Sequence, residues 1–234
     1  MDEELLLIPA TLTSDPRDQK RYYFENTPLR RVLTPLVSGV LWPFMDMQVR
    51  GFENLPDKGP VVLAANHLSE FDMFPMQFAM QRLIFFMGKA ELFRNPVLAA
   101  AYRQLGGFPV ERGARDPWAY QHALRVLEHG QVLGLFPEGT RSRKHGLLPA
   151  KTGAARLAIE ARCPVVLVAV EGTQRMFKRS LRRTPVNITM SEPYYPVQGV
   201  SALEFMDHLM FTLADMLPAE LRGVYAERPK GFRV

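Results

Sequence analysis

The chain has 234 residues, 47% hydrophobic and 23% charged, which is ordinary for a globular protein and enough for one sizeable core. A single cysteine, Cys163, excludes an intrachain disulfide framework. The net charge of +5 favours anionic partners: lipid head groups, phosphorylated substrates, acidic proteins or nucleic acid.

The start, Met1-Asp2-Glu3-Glu4, is acidic and lacks the basic region and cleavage site of a signal peptide. No stretch offers the ~20 uninterrupted apolar residues of a spanning helix, so the expected location is the cytosol or the cytoplasmic face of a membrane. Residues 1–27 are polar and mixed. Arg30-Arg31 then precede an apolar stretch, residues 32–47, which holds Trp42 and Phe44 and is broken by Pro35, Gly39 and Pro43. A basic edge, an apolar body and an indole suit an element lying in the lipid interface; a helix packed on the protein's own core is the alternative.

From Gly51 the pattern becomes α/β. Residues 60–65 form an apolar run suited to a buried strand, which stops at Asn66-His67-Leu68-Ser69-Glu70-Phe71-Asp72. A histidine at the end of a core strand can serve as a general base if a carboxylate orients it, and Asp72 is placed to do so. Residues five apart do not share a helix face, so His67 belongs in the turn. Ser69 is the expected N-cap of the next helix, with Asp72 at its third position. The competing reading makes Asp72 a capping residue alone and His67 an ordinary turn residue.

A Met- and Phe-rich helix is expected over residues 72–82, then a strand over 83–87 that runs into Gly88-Lys89. Residues 91–104 are apolar with Pro96 inside, and residues 108–110 are extended, ending at Glu111-Arg112-Gly113. Asp116-Pro117 opens a clear helix, with Asp at the N-cap and Pro at the first helical position, and Gly130 ends it. The strand 131–136 leads directly into Pro137-Glu138-Gly139-Thr140-Arg141. Residues 152–162 form an Ala-rich helix, and the strand 164–170 ends at Glu171-Gly172-Thr173. Residues 186–190 alternate like a half-exposed strand, and Ser201 with Glu204 opens a last helix to about residue 217. The expected domains are an N-terminal region over 1–50 with a membrane-associating segment, an α/β domain over 51–222, and a basic tail over 223–234.

Strands alternating with helices argue for a largely parallel sheet flanked by helices, in a mixed α/β fold with an apolar helical appendage at its start. Ligands of open α/β sheets bind beyond the carboxyl ends of the strands, where the polar motifs converge. The converging set holds one candidate base, His67, with its acid Asp72, and the cations Lys89, Arg112 and Arg141. There is no Gly-x-Ser-x-Gly elbow, Walker loop, Rossmann fingerprint or His-Glu-x-x-His zinc pattern. The base is therefore better suited to activating a substrate hydroxyl than an enzyme serine. The cations, with turn amides near Gly139, suit an anionic group such as phosphate.

These residues resemble the glycerolipid acyltransferases, typified by 1-acyl-glycerol-3-phosphate acyltransferase. Asn66-His67 with Asp72 resembles the family's His-x4-Asp motif. Phe136-Pro137-Glu138-Gly139-Thr140-Arg141-Ser142 looks like its acceptor-binding motif. Gly88-Lys89 and Val110-Glu111-Arg112-Gly113 resemble the intervening block. Pro164-Val165-Val166-Leu167-Val168-Ala169-Val170 is similar to the fourth block, with Leu167 where a proline is common.

The resemblance covers residues 51–173. It implies direct transfer: His67 takes the proton of an acceptor hydroxyl, Asp72 orients the ring, and the oxygen attacks an acyl thioester on coenzyme A or acyl carrier protein. It implies no other cofactor and no metal. Lys89, Arg112, Glu138, Gly139, Thr140 and Arg141 are the implied acceptor-binding residues. The implied acceptor is lysophosphatidic acid; another lyso-lipid or a glycolipid is the alternative, as is a catalytically silent lipid-binding scaffold.

The basic cluster Arg175, Lys178, Arg179, Arg182 and Arg183 reads either as a solvated face or as a contact with anionic lipid or an acidic carrier. No nucleic-acid-binding motif accompanies the charge, so nucleic acid is not expected as a partner.

Overall fold

A computed structural model describes residues 15–25, 27–111, 113, 115–142, 145–178 and 182–229. Among these residues seven strands share one sheet: β1 (Met45–Arg50), β2 (Val61–Ala65), β3 (Ile84–Lys89), β4 (Gly107–Val110), β5 (Val132–Leu135), β6 (Val165–Glu171) and β7 (Thr184–Met190). Their order across the sheet is β1-β7-β6-β2-β5-β3-β4. The five strands from β6 to β4 run parallel, whereas β7 is antiparallel to β6 and β1 is parallel to β7. The expected mixed, largely parallel sheet is therefore present. All five strand ends that carry the polar motifs point to one edge.

The helices are α1 (Pro28–Leu41), α2 (Met73–Ala79), α3 (Pro96–Gln104), α4 (Pro117–Glu128), α5 (Gly153–Glu160) and α6 (Ala202–Asp215). β2 reads as an unbroken apolar run because both its faces are covered. Val62 and Ala64 join a core with Leu127 of α4, Leu157 of α5 and Leu209 of α6. Val61, Leu63 and Ala65 face the other way, onto Met76 of α2. Two core layers thus clamp the central strand and fix where its last residue stands. The alternation read over residues 186–190 is that of β7, whose side chains are buried at every second position.

The apolar stretch 32–47 divides. Its first part is α1, which continues through Pro35; its last part is the start of β1 at the sheet edge. β1 alternates between buried and exposed positions, a pattern submerged in the apolar run before it. Arg30 is not the basic edge that the sequence suggested. It is 1% exposed, and its guanidinium donates to the carbonyls of Tyr23, Glu25, Arg103 and Gln104. Two of those carbonyls belong to the last turn of α3, where unpaired C=O groups favour a cation. Burial pushes its pKa down to about 10. Another face of α1 exposes Leu29, Val32, Leu36 and Val40, which recur at helical spacing.

The segment before α1 has no periodicity, and side chains fix it instead. Arg17 forms ion pairs with Asp15 at 2.7 Å and with Asp116 at 2.6 Å. Asp116 also accepts the Ala119 N–H, capping α4 as its sequence indicated. Tyr22 and Phe24 pack on the buried His122, whose pKa burial lowers to about 4, so it is a neutral core histidine. At the other end, Leu221 and Val224 exchange backbone hydrogen bonds with Leu147. No helix among the described residues is long and apolar enough to cross a membrane.

Candidate active site

β2 is followed at once by Asn66, whose amide pairs with both backbone groups of Val170 on β6, donating at 2.8 Å and accepting at 2.7 Å. The chain then turns at His67. Three groups from the loop after β5 hold that turn. The Glu138 carboxylate accepts the His67 backbone N–H at 2.8 Å, the Ser142 N–H donates to the His67 carbonyl at 2.8 Å, and the Phe136 ring stacks on the imidazole at 4.0 Å. Phe136 stacks in turn on Phe86. Phe86 finds room because β5 carries glycine opposite it: a Cβ on Gly134 would lie 2.4 Å from the Phe86 ring.

Asp72 is 0% exposed, and five groups point at its carboxylate. Oδ2 accepts from His67 Nδ1 at 2.8 Å, the Leu68 N–H at 2.7 Å and the Ser69 N–H at 2.9 Å. Oδ1 accepts from the Ser69 hydroxyl at 3.3 Å and from the Thr173 hydroxyl. The expected capping box is not formed. α2 begins at Met73, one residue after Asp72, and the Ser69 hydroxyl accepts the Phe71 N–H inside the turn. Asp72 organises the His67 turn instead of the helix, which removes the reading of it as a cap alone.

A carboxylate offers only acceptors, so Nδ1 of His67 carries the proton and Nε2 of the neutral ring is left as a base. The side chain is 13% exposed, enough for contact with one small group. Glu138 is almost as enclosed as Asp72, at 4% exposure. Its second oxygen accepts the Leu148 N–H at 2.9 Å, so it ties the His67 turn to residue 148. Burial pushes its carboxyl up to about 7, opposed by those two N–H donors.

Two cavities border this turn. One, of about 270 Å³, is lined by His67, Gly139 and Lys151 together with apolar side chains such as Met87, Val110 and Leu157. The other, of about 640 Å³, is lined by Ser69, Phe71, Arg141, His145, Thr173 and Lys178, among others. A third space of about 250 Å³, lined by apolar groups such as Val37, Phe74, Phe78 and Leu98, lies between α1, α2 and α3.

The sequence-predicted residues divide among these places. His67 and Gly139 line the first cavity, and Gly139 has a φ of +67° that suits glycine. Arg141 lines the second and forms an ion pair with Glu70. Glu138, which the resemblance implied as an acceptor-binding residue, has its buried carboxylate on the backbone amides of His67 and Leu148. Lys89 and Thr140 are exposed and border neither cavity beside the turn. Arg112 lies outside the described residues, as does Arg179 of the basic cluster, while Glu111 and Gly113 line the first cavity.

Thr173, Phe136, Gly134 and Lys151 were not picked out as site residues. Thr173 had a signal, since it ends the polar motif after β6. Lys151 had none beyond its charge. Among the described residues no cluster of His, Cys, Asp and Glu could hold a metal ion.

Comparison with known proteins agrees with this geometry. The family model described as Acyltransferase matches residues 46–171, just over half of the chain, from β1 to the end of β6. The 1-acyl-sn-glycerol-3-phosphate acyltransferase of Bacillus subtilis is 27% identical over 150 residues, covering 64% of this chain and 74% of that protein. A chloroplast protein of Brassica napus with the same activity in its name is 29% identical over 164 residues, covering 66% of this chain. The chain spans about half of that plant relative's own length, 47%. Among solved structures, the 1-acyl-sn-glycerophosphate acyltransferase of Thermotoga maritima superposes with a TM-score of 0.65 at 28% identity, covering 79% of this chain and 78% of that one. The histidine–aspartate turn at the edge of a parallel sheet and the match that spans it lead to one conclusion: the chain belongs to the Acyltransferase family.

Proposed function

We propose that the protein transfers a fatty acyl group from a thioester to the free hydroxyl of lysophosphatidic acid, giving phosphatidic acid. The observation that carries this reading is the His67–Asp72 pair, with Nε2 left as a base on a ring that lines a cavity. The names of the relatives supply the acceptor class. In this reading Nε2 takes the proton of the acceptor hydroxyl as its oxygen attacks the thioester carbonyl. The tetrahedral intermediate then collapses, the C–S bond breaks, and His67 returns the proton to the leaving thiolate. Ester and free thiol are the products, and the enzyme ends as it began.

Arg141 binds the acceptor phosphate from the larger cavity, where a guanidinium can offer two parallel hydrogen bonds. The phosphate must first displace Glu70 from it. Lys89 and Arg112 are the other proposed phosphate contacts. The apolar lining of the cavity at His67 suits the acyl chain. The donor is acyl-coenzyme A or acyl carrier protein. The exposed apolar stripe of α1 suits attachment to an anionic membrane surface from its cytoplasmic side, peripheral or monotopic, where both lipids reside.

The test is thiol release by the purified chain with each thioester, with and without lysophosphatidic acid. Release that depends on this acceptor and yields phosphatidic acid is expected. Release supported equally by a non-phosphorylated acceptor would overturn the choice of acceptor. No acceptor-dependent release with either donor would overturn the enzymatic reading.

A further inference from the structure

Thr173 lies two residues past the end of β6, in the turn behind Gly172, and is 1% exposed. Its hydroxyl donates to Asp72 Oδ1 across 101 residues of chain. The turn that presents it is fixed. Gly172 has a φ of +95°, and a Cβ there would fall 2.0 Å from the Pro185 carbonyl oxygen, so no larger residue fits. The Asn66–Val170 pair locks the ends of β2 and β6 together two residues earlier. The hydroxyl is therefore held against the carboxylate from the turn after a separate strand.

We propose that Thr173 is a positioning residue for acyl transfer, setting the plane of the Asp72 carboxylate and through it the orientation of His67. The proposal rests on the reading of His67 as the base. The last torsion of an aspartate is soft, with broad wells. Three N–H groups hold Oδ2, but they do not by themselves fix the plane. Oδ1 fixes it, and there the Ser69 hydroxyl at 3.3 Å is too long to act alone. Without the Thr173 hydroxyl, a buried oxygen keeps only that weak donor. The carboxylate can then rotate, and Oδ2 leaves the line of the imidazole Nδ1–H. Threonine also suits the position because its β-branch stiffens χ1, aiming the hydroxyl.

The test compares Thr173→Val, which keeps the shape and removes the hydroxyl, with Thr173→Ser, which keeps the hydroxyl. Thr173→Val should lower kcat about 10- to 150-fold, the range for a hydrogen bond to a charged group, with the KM of either substrate changed less than about 3-fold. Thr173→Ser should recover to within about 3-fold of wild type. A second readout needs no substrate: the ¹⁵N spectrum of ring-labelled histidine, with His67 identified by its loss in His67→Ala. The Nδ1–H tautomer should dominate in the wild type and in Thr173→Ser, and lose ground to the Nε2–H tautomer in Thr173→Val. Wild-type kcat in Thr173→Val, Thr173→Ser as impaired as Thr173→Val, or an unchanged tautomer in Thr173→Val would each overturn the proposal. A wild-type protein without turnover would instead sink the acyl-transfer reading, leaving the tautomer to decide the role of Thr173.

Discussion

His67 and Asp72 meet because the five-residue interval between them is a turn, and the carboxylate gathers the amides of that turn as well as the imidazole. The spacing made a helical pairing impossible, so the dyad was legible in the sequence. The rest of the carboxylate's shell was not, because Thr173 approaches from a turn 101 residues away. Arg141 carries a second claim at this scale. A charged hydrogen bond contributes roughly 1.5–3 kcal/mol, so Arg141→Ala should lower catalytic efficiency toward lysophosphatidic acid by about 10- to 150-fold. Arg141→Lys should recover only part of this, since an ammonium lacks the fork. Saturation kinetics in both substrates check it; weaker donor binding alone would remove Arg141 from the phosphate site. Glu138 makes a pH-dependent prediction. Burial lifts its folded pKa to about 7, above the ordinary glutamate value of 4.5, so between those values the folded state holds more protons than the unfolded one. Stability from this group is therefore lost as pH rises from about 4.5 to 7. Denaturant unfolding across that window should show a wild-type slope that Glu138→Gln lacks; parallel curves for the two proteins would reject it.

At the scale of elements, the buried strands were readable because a parallel strand covered on both faces is an uninterrupted apolar run. β1 was not, since an edge strand alternates and this one emerges from an apolar helix. The role of Arg30 was hidden for a related reason: its partners are backbone carbonyls, which leave no trace in a sequence. The ladder of rings from Phe86 through Phe136 to His67 is an element-level device that depends on Gly134. Gly134→Ala must push the Phe86 ring aside, and overpacking of this kind costs typically about 1–3 kcal/mol. Turnover should fall along with the denaturation midpoint, because the displaced ring supports the one beneath the imidazole. A variant with wild-type stability and turnover would show that the ladder merely fills space. α1 gives an independent prediction. Replacing Val32, Leu36 and Val40 together by serine should leave the melting temperature within a degree or two, as all three are exposed. Binding to anionic vesicles should weaken by at least about 10-fold, given ~0.8 kcal/mol per buried methylene. Unchanged sedimentation with vesicles would assign attachment to another surface.

For the molecule as a whole, five parallel strands bring their carboxyl ends to one edge, and the chain uses four of them at or beside the site. The segment after β2 supplies the histidine turn, that after β5 the glutamate and the stacking ring, that after β6 the threonine, and β4 leads to residues that line the cavity. Convergence of this kind could be expected from the alternation of strands and helices. The presence of two cavities beside the turn could not, since each is lined by segments far apart in sequence. The central claim is that one imidazole, held by one carboxylate, moves the proton that acyl transfer requires. The most direct measurement is kcat for thiol release from acyl-coenzyme A with lysophosphatidic acid, compared among wild type, His67→Ala and Asp72→Asn at equal thermal stability. The account predicts turnover lost by at least about 1,000-fold in His67→Ala and by a smaller but severe factor in Asp72→Asn. A folded His67→Ala protein that kept near-wild-type turnover would contradict it.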